Sequence, residues 1–405
     1  MLIKFIKLFL CTVCLFFCHG VFAQYHWVSF DENGMFVANA IVSRGEKCPE
    51  LYIDSVWEHF YKKFNSAFPD IERCYFFFDR KAKNVVIGGE KMFLPSSMIH
   101  RVGIIGDTGC RGDYRQSCSS LKSWPFAKVA DLLAEKDIDL VVHVGDLLYM
   151  HGKSKYDFDL CSWKHWEFEF FKPMNNLLKK APLIMVRGNH EACCKKCWNG
   201  ANFFFTPPRN QDNFCVNVEP LSILEFDNAV FFNIDSSSAS DFITEQHLVK
   251  IYKQQLNVQN IINDKFNILL THRPLYGMFS ILNFGLYGNR TLRQSFNNLS
   301  CSLDLIVSGH IHLMQFLNFA DSCIAQLIVG NSGAHLHRKP IMHKGNFVDN
   351  AMQVYKTFDS FGFAVLDLHR MLSFDIFSYE DKKNISCMQI YREDKDIKWQ
   401  CFLDK

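Results

Sequence analysis

Five times between residues 101 and 312 an apolar run gives way to a short polar turn whose side chains include Asp, Asn or His. The runs are Val102-Gly103-Ile104-Ile105, Leu140-Val141-Val142-His143-Val144, Leu183-Ile184-Met185-Val186, Ile268-Leu269-Leu270 and the stretch 303–307. Apolar runs of this length suit strands buried on both faces. Helical periodicity lies between them. Phe126, Val129, Leu132 and Leu133 share one face over 125–135, and Leu248, Ile251 and Tyr252 share one over 244–256. Pro125 stands near a helix start, where its missing N–H costs little. The alternation predicts an α/β layered domain over residues 99–405. In such sheets ligand-binding groups gather beyond the carboxyl ends of the strands.

Upstream the rhythm differs. Residues 1–23 combine Lys4 and Lys7, an apolar run over 8–17 and Val21-Phe22-Ala23 before a cleavage point, the pattern of a secretory signal peptide. That run is too short to span a bilayer, and no later one reaches the roughly 18 residues required. Export to the periplasm or the extracellular space is therefore expected, with no membrane span. Residues 24–98 read as a small β-rich region, from pieces such as Met35-Phe36-Val37 and Cys74-Tyr75-Phe76-Phe77-Phe78, with a helical patch over 55–68. A net charge of +2 without any basic block argues against nucleic acid or anionic lipid as the main partner.

Loss of the signal leaves 13 of the 16 cysteines, an odd number, in an oxidising compartment. Proximity suggests pairing Cys48 with Cys74, Cys110 with Cys118, Cys301 with Cys323 and Cys387 with Cys401. Cys161 and Cys215 are the candidate partners for the Cys193-Cys194-x-x-Cys197 cluster, although sequence alone does not fix connectivity. Residues 191–213 read as a long stapled loop. His335, His337 and His343 read as surface or rim histidines, and His143 as a core imidazole. Asn289, Asn298 and Asn384 each begin an Asn-x-Ser/Thr triplet.

The five turns are Gly106-Asp107-Thr108-Gly109, Gly145-Asp146-Leu147-Leu148-Tyr149, Gly188-Asn189-His190-Glu191, Thr271-His272-Arg273-Pro274 and Gly309-His310-Ile311-His312. Any one alone is an ordinary turn or helix cap. Together they supply the hard oxygens and imidazoles that a metal pair needs, with Asp146 able to bridge ions roughly 3.5–4 Å apart. In order and kind they resemble the motifs of the metallophosphoesterase (calcineurin-like) superfamily. Many members carry Asp-x-His in the first motif. Here Gly109 takes the place of that His, and Tyr149 follows in the second motif. Asp-x-Gly with Gly-Asp-x-x-Tyr resembles the purple acid phosphatase branch.

That resemblance implies a four-layer α-β-β-α sandwich of two mixed sheets flanked by helices. It also implies two metal ions, iron(III) with iron(II), zinc(II) or manganese(II). Carried over residue by residue, it assigns Asp107, Asp146, Tyr149 and His312 to the first metal, and Asp146, Asn189, His272 and His310 to the second. The implied activity is that of an acid phosphomonoesterase on small phosphate esters, with hydroxide attacking phosphorus in line. His190 would bind phosphate and assist the leaving group. Arg111 and Arg273, close in sequence to ligands, are candidate phosphate contacts. A phosphodiesterase on the same scaffold is the alternative. A non-catalytic binding protein is less favoured, because all seven ligand positions are filled. Substrate identity and oligomeric state are not legible.

Overall fold

A computed structural model describes residues 24–150, 159–195, 197–206, 215–281, 284–299, 302–319, 325–339, 352–391 and 397–403. The signal segment, the pair Cys301 and Cys323, and His343 lie outside the described residues.

At the centre of the larger sheet, Arg101–Ile105 pairs in parallel with Leu140–His143, which pairs in parallel with Leu183–Met185. Tyr25–Phe30 adds in parallel to Leu183–Met185 and leads outward to Phe36–Ser43, Ile71–Phe78 and Tyr61–Lys63. On the other side Gly362–Asp367, Ser373–Ser378, Lys383–Tyr391 and Ile397–Leu403 form an antiparallel meander. These make an 11-stranded sheet. The second sheet runs in the order Ser222–Glu225, Ala229–Ile234, Phe266–Thr271, Leu305–Ser308, Ala325–Val329, Met314–Phe319 and Met352–Phe358. Its strands Ala229–Ile234, Phe266–Thr271, Leu305–Ser308 and Ala325–Val329 are mutually parallel.

The two-residue period of a strand divides its side chains between two cores. Val102, Ile104, Leu140 and Val142 face the second sheet and meet Ile268, Leu270 and Val307 in a buried layer. Ile105 and Val141 face outward, toward the helices Phe126–Ala134 and Lys172–Lys180. Gly103 lets the first of these helices lie close, since a Cβ there would stand 2.8 Å from Leu133. Leu269 and Ile306 point the other way, onto Gln246–Gln255 and Arg290–Phe296. The result is the expected four-layer sandwich of mixed sheets between helices.

The N-terminal region is β-rich, as expected, and includes a small sheet of Val56–Glu58, Leu51–Ile53, Val85–Ile87 and Glu90–Met92. The helical patch expected over 55–68 is absent. Asp54 and Ser55 turn the chain at positive φ (48° and 70°) into a hairpin, and Val56–Glu58 and Tyr61–Lys63 are strands. Trp57, Tyr61 and Phe64 of this stretch are exposed, while Phe68 is buried. The stretch 191–213 is also more than a loop. It contains the helix Trp198–Phe205, which buries Phe203 and Phe204 against Phe68 and Trp166.

Candidate metal centre

Each of the five turns follows a parallel strand, so all five open on one edge of the sandwich. Asp107, Asp146 and His310 hold left-handed backbone, with φ of 52°, 58° and 68°. This conformation costs a non-glycine residue on the order of 1–3 kcal/mol and persists only where neighbours enforce it. Here the turns enforce one another. Asp107 N–H donates to Gly145 O (2.9 Å), and Thr108 N–H to Asp146 O (3.1 Å). The carboxylates of Asp107 and Asp146 accept from the backbone N–H groups of His310 and His190, both at 2.8 Å.

The Tyr149 hydroxyl lies 2.6 Å from Asp107 Oδ1, 2.7 Å from Asp146 Oδ2 and 2.8 Å from His312 Nε2. His312 Nδ1 is 2.8 Å from the carbonyl of His335, so Nδ1 carries the proton and Nε2 presents its lone pair to Tyr149. One hydroxyl proton cannot serve three acceptors. A buried convergence of two carboxylates, an imidazole lone pair and a phenol fits a cation in their midst. Burial, and then the charges of Asp107 and Asp146, push the Tyr149 hydroxyl well above its ordinary pKa. Burial also raises the Asp107 carboxyl. A bound cation would reverse both effects.

Beside this cluster, Asp146, His272 and His310 offer ligand atoms within 4.8 Å of one another. His272 Nδ1 is fixed on Val144 O at 2.7 Å, which leaves Nε2 facing Asn189 Oδ1 (3.1 Å) and Asp146 Oδ2 (3.3 Å). Burial works against a charge on His272, yet Asp146 raises its pKa to about 9. A proton there does the work that a metal ion would do. Burial holds His310 and His312 well below the usual histidine range, helped by Arg273 and His337 respectively, which favours their neutral, metal-ligating forms.

The family profile described as calcineurin-like phosphoesterase matches residues 100–314. The chain belongs to that family. Among solved structures, the phosphoesterase is similar to purple acid phosphatase PPD1 from yellow lupin (Lupinus luteus) seeds, at a TM-score of 0.61 and 15% identity, over 88% of this chain and 72% of that one. It is also similar to PhoD, at a TM-score of 0.56 and 10% identity, over 95% and 92% of the two chains. At these identities the likeness is one of fold. No curated protein sequence matches.

All seven expected ligand positions gather in the two clusters, with His190 beside them. The His190 ring centroid is 4.1 Å from that of Tyr149, and its Nε2 is 4.0 Å from Asp146 Oδ2. The two arginines differ. Arg111 sits over the Tyr149 ring, 6.0 Å from its centroid, and its buried Nε has no hydrogen-bond partner among the described residues. Arg273 is paired with Asp241 and lies 3.1 Å from His310 Nε2. His143 holds the turn from behind, its Nδ1 accepting from Gly145 N–H (3.1 Å) and its Nε2 lying 2.9 Å from Thr108 Oγ1.

Sequence reasoning missed two buried acids. Glu191 accepts from the N–H groups of Asp146, Leu147 and Gly188. Burial, and then Asp146, raise its pKa to about 7. Its place in the Gly-Asn-His-Glu turn was a usable signal. Glu169, far from any motif, carried none. Asp241 was also missed as a site neighbour; His337, read as a surface or rim histidine, stacks its ring on His312 at 4.4 Å.

Proposed function

We propose that the protein is an exported dimetal phosphohydrolase acting as an acid phosphomonoesterase on small phosphate esters. The observation that carries this reading is the convergence of Asp107, Asp146 and His312 on the Tyr149 hydroxyl. Asp107, Asp146, Tyr149 and His312 would hold iron(III), since a phenolate and two carboxylates suit a hard trivalent ion. Asp146, Asn189, His272 and His310 would hold iron(II), zinc(II) or manganese(II). When bound, the pair supplies Lewis acidity, neutralising charge on the phosphoryl oxygens and making water more acidic.

The chain's own residues do the rest. His190, at the mouth beside Asp146, donates a proton to the departing oxygen when its imidazole is charged, which favours acidic pH. Arg111 is the better phosphate contact, because Arg273 is engaged by Asp241 and lies against His310. Export is supported by the pairs Cys48–Cys74, Cys110–Cys118, Cys161–Cys197, Cys193–Cys215 and Cys387–Cys401, which leave Cys194 as the free cysteine among the described residues.

Hydrolysis of an aryl phosphate and the corresponding bis-aryl ester tests the reading. The monoester is expected to turn over faster at acidic pH, and Asp146→Asn to reduce its kcat by at least about a hundredfold. A preference for the diester would assign a phosphodiesterase instead. Undiminished turnover in Asp146→Asn would remove the bridging role.

A further inference from the structure

Glu169 has no surface exposure, and its carboxylate reaches one proposed metal ligand, Tyr149, at the backbone. It lies in Glu167–Phe171, a π-helical turn between Trp163–Trp166 and Lys172–Lys180. Such widened turns cost helical regularity and often mark functional positions. One oxygen, Oε2, accepts from Cys110 N–H and from Tyr149 N–H, each at 3.0 Å. The other, Oε1, is 2.7 Å from His165 Nε2. The tautomer of His165 follows from its second nitrogen, Nδ1, which accepts from Cys161 N–H at 2.8 Å. The proton is therefore on Nε2 and points at Glu169. Cys161 is itself anchored by its disulfide to Cys197. Three N–H donors thus hold a carboxylate buried without a surface ion partner.

The same carboxylate explains the gap in the first motif. A Cβ at Gly109 would meet Leu147 O at 2.5 Å, Glu169 Oε2 at 2.6 Å and Tyr149 N at 2.7 Å. Glu169 occupies the space from which a side chain at position 109 would have to start. The missing histidine and the presence of Tyr149 are two sides of one arrangement.

Resting on the dimetal reading above, we infer that Glu169 and His165 are positioning residues that fix the Tyr149 backbone, and through it the phenol oxygen at the first metal. Replacement by Glu169→Gln leaves an amide N–H facing either His165 Nε2–H or the two backbone N–H groups. Two donors then oppose each other, and the Tyr149 turn relaxes. The hydrogen bonds described above for the pair go to Cys110, Tyr149 and Cys161, none of them assigned to the second metal.

The test uses the full chain after metal removal. Hydrogen exchange at the Cys110 and Tyr149 amides is expected to quicken at least about tenfold in Glu169→Gln. Zinc(II) is then titrated in, with the Tyr149 ultraviolet difference signal reporting the first site and equilibrium dialysis reporting the total. First-site affinity is expected to fall about 10–100-fold, the usual effect of losing an outer-shell partner, while second-site affinity stays within about twofold. Unchanged exchange at these amides, or an equal loss at both sites, overturns the inference. His165→Gln, which leaves the carboxylate in place, gives the same readouts should Glu169→Gln fail to fold. A wild-type chain that binds fewer than two zinc ions contradicts the dimetal reading alone, because the exchange measurement needs no metal.

Discussion

At the scale of single residues, the centre is built from groups that are costly in isolation. His143 is fully buried, and burial lowers its pKa to about 3. Because the unfolded residue titrates near 6.5, the unfolded state binds the proton first. Stability from neutral His143 is therefore complete above pH 6.5 and is lost as pH falls toward 3, by a few kcal/mol at most. The acidic pH proposed above for catalysis would fall inside that window. Thermal unfolding should show the melting temperature falling between pH 6.5 and 3, with a shallower slope in His143→Gln; an unchanged slope would dismiss this residue as the source. The ligands were legible because each follows an apolar strand. Glu169 and His165 were not, because nothing in a run of Trp163 to Phe171 says that its carboxylate will meet a turn twenty residues earlier.

Elements show the same division. Strands such as Leu140–His143 and Leu305–Ser308 are buried on both faces, so their composition alone identifies them. Tyr61–Lys63 is an edge strand, exposed along two of its three residues, so burial left little mark on its sequence. The helix Trp198–Phe205 was hidden among cysteines and aromatic residues that suggested only a stapled loop. It exists because Gly200 lets it lie against Trp166, where a Cβ would stand 2.1 Å from the indole. Phe204 then packs on Phe68, Trp163, Trp166 and Phe171, joining the N-terminal region to the helical layer. Phe204→Ala should cost about 3–5 kcal/mol in denaturant unfolding. A loss below about 1 kcal/mol would mean that this helix is not a structural clamp.

Taken whole, the molecule is one sandwich whose larger sheet begins with the N-terminal strands and ends with the C-terminal meander. Among the described residues, no helix is long and apolar enough to cross a membrane. Both sheets send their parallel strands to one edge, and two strained carboxylates, one phenol and three histidines meet there with Asn189. The proposed function turns on Tyr149 as a ligand of the first metal. It is tested most directly by metal analysis and a visible absorption spectrum of the purified full-length protein and of Tyr149→Phe. Two metals per chain, iron among them, and a visible phenolate-to-iron band that Tyr149→Phe abolishes are expected. A band that survives Tyr149→Phe, or an iron-loaded wild-type protein without one, would contradict it.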